Sequence, residues 1–213
     1  MPVLYMDLDG TILDVWQRYY CLMKDFFESK LDNPFPELQQ YQQLKMTLIE
    51  DATIIHHLYQ NRNFSKNDVL SEFRLYKQGA LESERMLRKD TLIGQLHQFK
   101  AQLKSEYKLH LLSIRRNKNL AMQQLQYLNI MELFDQIDFV LPTREYNPKW
   151  FAIKNKVSRD DCIIGDSEID IACGTMLGLR TFHVSTGLRS YEYAAQLGQA
   201  IRLNNYSEVH AYL

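Results

Sequence analysis

Two apolar runs in this chain each stop at a cluster of acids. Val3-Leu4-Tyr5-Met6 leads into Asp7-Leu8-Asp9-Gly10-Thr11, and Cys162-Ile163-Ile164 leads into Gly165-Asp166-Ser167-Glu168-Ile169-Asp170. Short runs without polar alternation fit strands buried on both faces, as in a parallel sheet. Carboxylates that end two such strands gather at the C-terminal edge of the sheet, and an all-oxygen cluster there suits a metal ion.

From residue 91 onward, helix and strand patterns alternate. The spacing predicts a helix over Leu92 to Ser105, a strand over Leu109 to Leu112, a helix over Lys118 to Leu128 and a strand over Gln136 to Leu141. A short helix over Pro148 to Lys156 follows, with proline in its first turn, then the 162–164 strand and a helix over Ile169 to Leu177 closed by Gly178. Arg180 to Val184 reads as a strand, and Ala200 to Leu203 as a last short one. Strands joined by helices imply right-handed crossovers and an α/β fold, a Rossmann-like parallel sheet sandwiched by helices.

Residues 15 to 88 read differently. Val15 to Leu31, Leu44 to Tyr59 and Val69 to Tyr76 carry apolar residues at helical spacing, and Asn33-Pro34-Phe35-Pro36 interrupts the first of these from the next. Ser65 with Asp68 three residues on makes a weak capping box. The expected organisation is a core of residues 1–14 and 89–213 with an all-helical domain, 15–88, inserted. A chain of 213 residues suffices for both.

The charge balance excludes a strongly basic binder. With 25 basic and 26 acidic residues and a net charge of -1, nothing predicts broad attraction to nucleic acid. No run approaches the roughly 18 apolar residues of a membrane span. No charged leader precedes an apolar stretch, and Asp7 stands too near the start for a cleaved leader. Cys21, Cys162 and Cys173 are scattered and read as thiols of a reducing compartment. His56-His57, His97, His110 and His183 show no metal-ligand spacing. The expectation is a cytoplasmic protein, monomer or homodimer, with neither a nucleic-acid nor a membrane partner.

Asp7-Leu8-Asp9-Gly10-Thr11-Ile12-Leu13 resembles the first motif of the haloacid-dehalogenase-like hydrolase superfamily. Ser113, after the Leu109 to Leu112 strand, is similar to the hydroxyl of the second motif, Lys149 to the third, and Gly165 to Asp170 to the fourth. Gly174, Gly178, Thr181 and Val184-Ser185-Thr186-Gly187 sit where relatives resembling phosphoglycolate phosphatase carry similar residues. There are two departures. Pro142-Thr143-Arg144-Glu145-Tyr146-Asn147-Pro148 replaces a Lys-Pro-x-Pro stretch before Lys149. Ile114-Arg115-Arg116-Asn117 follows Ser113, where a small residue and Asn or Gly are more usual.

The resemblance implies a Mg²⁺-dependent phosphatase acting on a small phosphorylated metabolite. It assigns Asp7 as nucleophile and Asp9 as general acid and base. Asp7, the backbone carbonyl of Asp9 and Asp166 would hold the ion, with Asp170 holding a metal-bound water or orienting Lys149. Ser113 and Lys149 would bind phosphoryl oxygens, with Gly10, Thr11 and the backbone N–H groups of Ile114 and Arg115 completing the anion cradle. Dehalogenating relatives lack the second acid, so Asp9 favours phosphate over halide chemistry. The helical insert would be a C1-type cap that closes over the site.

Each residue also has an ordinary reading. Asp7 alone would be a solvated acid at a strand end, Asp9 a turn acid, and Asp166 and Asp170 acids at a helix N-terminus. Ser113 would be an N-cap, and Lys149 an exposed charge. Arg115, Arg116 and Arg144 are candidates for substrate contact but individually read as surface residues, and Glu168 as solvent-exposed. Trp16, Tyr19 and Tyr20 line a pocket or pack the insert. Only the full set makes the chemical reading the better one. Alternatives of other classes are a phosphosugar mutase using the same aspartyl-phosphate, and an inert binding protein that keeps the fold.

Overall fold

The computed structural model describes residues 1–31, 34–48, 50–59, 66–103 and 106–213. In chain order its elements begin with β1 (Val3–Met6), β2 (Leu13–Asp14), α1 (Trp16–Lys30), α2 (Leu38–Leu48), α3 (Asp51–Leu58), α4 (Lys66–Ala80) and α5 (Glu84–Leu87). They continue through β3 (Thr91–Leu92), α6 (Leu96–Gln102), β4 (Lys108–Ile114), α7 (Lys118–Tyr127), β5 (Gln136–Val140) and α8 (Pro148–Ile153). The last are β6 (Cys162–Gly165), α9 (Glu168–Leu177), β7 (Arg180–Val184), α10 (Tyr191–Ala194) and β8 (Ile201–Leu203). The chain divides into two units, residues 1–14 with 91–213 and residues 15–90.

The first unit is built on a six-stranded sheet in the order β5-β4-β1-β6-β7-β8, with every neighbouring pair parallel. Strand β1 lies in the interior of the sheet, and its Leu4 and Met6 are fully buried. That is why its sequence does not alternate: neither face meets water. The chain builds outward from β1 through β4 to β5, then returns to the other side through β6, β7 and β8. The strand order reverses at β1, the kind of switch point at whose C-terminal edge open α/β sheets bind ligands.

Two sequence expectations need correction here. The helix predicted over Leu92 to Ser105 is confined to α6. Gly94 takes a left-handed φ of +62°, and Thr91–Leu92 before it pair antiparallel with Leu13–Asp14. Ser105 lies outside the described residues. Likewise Leu44 to Tyr59 is not one helix. Glu50 is extended (φ -81°, ψ 136°) and α3 starts afresh at Asp51. Asp51 accepts ion pairs from Lys45 at 2.5 Å and from Lys77. Those two lysines hold its carboxyl below the ordinary range against the opposing effect of burial. Ser65 and Asn33 fall outside the described residues.

In the second unit the apolar faces of the helices meet in one aromatic cluster. Phe26 packs edge-on to Phe73 at 5.1 Å between ring centroids, and Tyr20, Phe27 and Tyr41 surround Phe35. Tyr20 is buried there, while Trp16 and Tyr19 pack partly buried against the same cluster. Arg18 and Asp90 form a buried ion pair at 3.2 Å within this unit. All three cysteines are free thiols, and Cys162 and Cys173 are buried. Among the described residues no helix is long and apolar enough to cross a membrane.

Candidate active site

Asp7 is the first residue beyond β1, and its N–H still donates to the Ile164 carbonyl of β6 at 3.0 Å. That bond fixes the backbone, so the buried carboxylate is aimed rather than free. Asp166 follows the end of β6, next to β1 in the sheet. Asp7, Asp166 and Asp170 are all buried and offer oxygens that lie within 4.8 Å of one another. Lys149 Nζ sits among them, 2.6 Å from Asp7 Oδ1 and 2.5 Å from Asp170 Oδ1.

Short local motifs deliver the last two residues. Asn147 caps α8, accepting from the N–H groups of Lys149 (3.0 Å) and Trp150 (3.1 Å), while Pro148 occupies the first helical turn. The other end of the Asn147 amide donates to the Ile169 carbonyl at 2.8 Å and ties the helix carrying Lys149 to α9. Asp170 completes a capping box on α9, its Oδ2 accepting from Ser167 Oγ at 2.6 Å and from the Ser167 N–H at 3.2 Å. With Oδ1 on Lys149, both oxygens of Asp170 are engaged, which suits orienting Lys149 better than ligating an ion.

Residues that the motif pattern does not single out as functional hold Asp166. Its Oδ2 accepts from the Leu188 N–H at 2.9 Å, and its carbonyl accepts from the buried His183 Nε2 at 3.0 Å. Two glycines give it room. A Cβ at Gly187 would stand 1.9 Å from Asp166 Oδ2, and one at Gly10 2.6 Å from the same atom. Gly10 also needs its left-handed φ of +79° to turn the loop. Thr186 Oγ1 then donates to the Gly10 carbonyl at 2.6 Å, joining the loops after β1 and β7.

The cluster is electrostatically incomplete. Burial, with Asp170 and Asp9 nearby, pushes the Asp7 carboxyl up to about 6 in spite of Lys149. Burial, then Asp7 and Asp170, push Asp166 well above the carboxylate range. Lys149 is held above its ordinary value by Asp170 and Asp7 against the effect of burial. One lysine faces three carboxylates, and an all-oxygen donor set of this kind fits a divalent cation such as Mg²⁺.

The pH dependence follows. Without a divalent ion, folded Asp7 binds a proton more tightly than unfolded Asp7, so its contribution to stability falls as pH rises from about 4 to about 6. A bound cation displaces those protons and needs the carboxylates ionised. Thermal melts with and without MgCl₂ are expected to show a small rise in Tm near about pH 5 and a larger one near about pH 7.5. Equal rises at the two pH values would argue against these carboxylates as the ligands.

Asp9 meets a different partner. Strand β1 ends at Met6 and the chain bends at Leu8, between the two acids, and they take different partners. Asp7 reaches Lys149, whereas Asp9 Oδ1 accepts from Nη2 of Arg115. Arg115 is the main departure from the sequence expectation: its side chain is 1% exposed, not a surface group. Its backbone N–H is also engaged, donating to the Val140 carbonyl at 2.9 Å. The Gly10 N–H likewise donates within its own turn, to Leu13 O at 2.8 Å. Ser113 is not a helix cap but a buried residue inside β4, paired in register with Phe139. Thr11 is buried, with a hydroxyl that has no partner among the described residues. Glu168 is half-buried and pairs with Arg189 at 3.1 Å.

A model of the haloacid dehalogenase-like hydrolase family matches residues 4–184. Among solved structures, a haloacid dehalogenase-like family hydrolase from Streptococcus pneumoniae is 17% identical with a TM-score of 0.69, over 100% of this chain and 98% of the other. A predicted phosphatase from Clostridium acetobutylicum is 18% identical with a TM-score of 0.68, over 99% and 97%. A predicted phosphoglycolate phosphatase from Haemophilus somnus is 12% identical with a TM-score of 0.68, over 100% and 97%. At these identities the likeness is one of fold. No curated protein matches the chain significantly.

Proposed function

The chain belongs to the haloacid dehalogenase-like hydrolase family, and on that footing we propose that it hydrolyses a small phosphomonoester in a magnesium-dependent reaction. The observation that carries this reading is the convergence of Asp7, Asp166 and Lys149 at the sheet edge, with Asp9 two residues beyond Asp7.

In the proposed reaction Asp7 attacks phosphorus. An O–P bond forms to its carboxylate as the ester P–O bond breaks, leaving an aspartyl-phosphate. Asp9 gives its proton to the departing oxygen. In the second step Asp9 takes a proton from water as that water attacks phosphorus, and inorganic phosphate leaves with Asp7 restored. Lys149 balances charge on the phosphoryl oxygens, and Ser113 donates its hydroxyl to one of them. Gly10 and Thr11 shape the loop around the anion, and Ile114 lies at the same strand end. Asp7, Asp166 and the Asp9 carbonyl would hold magnesium. When bound, the ion screens the repulsion between a carboxylate and a phosphate dianion.

The test is phosphate release from a broad set of phosphorylated metabolites and aryl phosphates, with MgCl₂ or with EDTA. Release that needs the metal is the expected result. No release from any compound would overturn the reading, and interconversion of phosphosugars without net release would favour the mutase.

A further inference from the structure

We propose that Arg115 is a positioning residue: its guanidinium holds the Asp9 carboxylate where a proton can pass to the leaving oxygen. It thereby sets how well the enzyme handles esters whose leaving group needs that proton. The inference rests on the reading of Asp9 as general acid.

The geometry around Arg115 is fixed at both ends. Its backbone is held in the sheet by the N–H bond to Val140, and its Nη2 lies 3.2 Å from Oε1 of buried Gln124 on α7. The same Nη2 donates to Asp9 Oδ1. Asp9 itself stands on the loop after β1, with a side chain 22% exposed, while the arginine side chain facing it is 1% exposed.

A stabilising role explains this arrangement poorly. Burying a guanidinium is costly and is offset only when its donors are well used. Here Nε and Nη1 are buried with no hydrogen-bond partner among the described residues. Donors left unmet make Arg115 a poor stabiliser. What the arrangement does achieve is one fixed bond to the oxygen of a carboxylate that must move a proton. Proton transfer depends steeply on placement, because a displacement of about 1 Å costs roughly 100-fold in rate.

The experiment uses the magnesium-loaded enzyme and aryl phosphates of graded leaving-group acidity, from phenyl through p-nitrophenyl to dinitrophenyl phosphate. A phenolate of low basicity leaves without a proton. Arg115→Met is expected to lower kcat/KM for phenyl phosphate by roughly 10- to 100-fold and to leave dinitrophenyl phosphate nearly unchanged, with KM little altered. Arg115→Lys recovers part of the loss. In an Asp9→Asn background, Arg115→Met adds no further loss, because the group it positions is gone. Gln124→Leu, which loosens the guanidinium but keeps its charge, gives a weaker loss with the same leaving-group dependence, and it carries the test should Arg115→Met not fold.

Equal losses across the series, or losses that add to those of Asp9→Asn, would overturn the proposal. Asp9→Asn alone showing no leaving-group dependence would remove Asp9 as the acid. A wild type that releases phosphate from none of the three would sink the phosphatase reading itself, and this inference with it.

Discussion

Asp7→Asn is expected to lower kcat by roughly 10⁴-fold or more while leaving the fold intact, since on the proposed mechanism the variant loses its covalent nucleophile, and with it the reaction path rather than one contact. Asparagine has nearly the same shape, and the backbone bond from residue 7 to Ile164 is untouched. Burial pushes Asp7 up to about 6 even with Lys149 2.6 Å away. Groups held under such a penalty are typical of sites that do chemistry. Magnesium-dependent turnover and a thermal melt on the same preparation check both halves. A variant that folds and still turns over within about tenfold of wild type would show that another group receives the phosphoryl.

The second large effect is on stability. Lys149→Met is expected to cost about 3 kcal/mol near neutral pH, a fall in Tm of roughly 6–12 °C, together with nearly all activity. The reason is what remains behind. Lys149 pairs with Asp7 and Asp170, and without it three buried carboxylates face one another within 4.8 Å. Leaving buried charge unpaired costs far more than an ion pair gains. Two features separate this account from simple loss of packing. The cost should shrink near about pH 5, where Asp7, already held up to about 6, becomes protonated. Added MgCl₂ should recover part of it, because a cation again balances the cluster. A loss of equal size at both pH values, unmoved by magnesium, would assign Lys149 to packing instead.

The fold was legible wherever local sequence decides it. Strands buried on both faces read as unbroken apolar runs, as β1 and β6 do. Pro148 announced the helix start that carries Lys149, whereas the capping box of Ser167 with Asp170 that opens α9 emerged only in the structure. Acids that end adjacent strands could be read as one cluster, because their meeting depends on the sheet and not on the loops.

The rest turned on contacts that no local pattern encodes. Arg115 looks like half of an exposed Arg-Arg pair, and only the pairing of β4 with β5 and its contact to Gln124 on α7 bury it. His183 and Leu188 reach Asp166 because β7 lies beside β6. Gly187 stands out in sequence only by resemblance, and the reason for it is spatial: the approach of Asp166 leaves no space for a side chain. The break at Glu50 was hidden because helical spacing continues through it. The Asp51 charges that pair across the break become visible only once Lys45 and Lys77 are placed.

In the proposed reaction Asp7 receives the phosphoryl group. Enzyme loaded with magnesium and mixed with an aryl phosphate, quenched in acid within one turnover and digested for mass spectrometry, tests it most directly. The expected result is a phosphoryl adduct on the peptide containing Asp7, converted by borohydride to a reduced side chain at that residue and absent from Asp7→Asn. Turnover with the adduct on a different residue, or with ¹⁸O-labelled water entering phosphate in the Asp7→Asn variant at the wild-type rate, would contradict it.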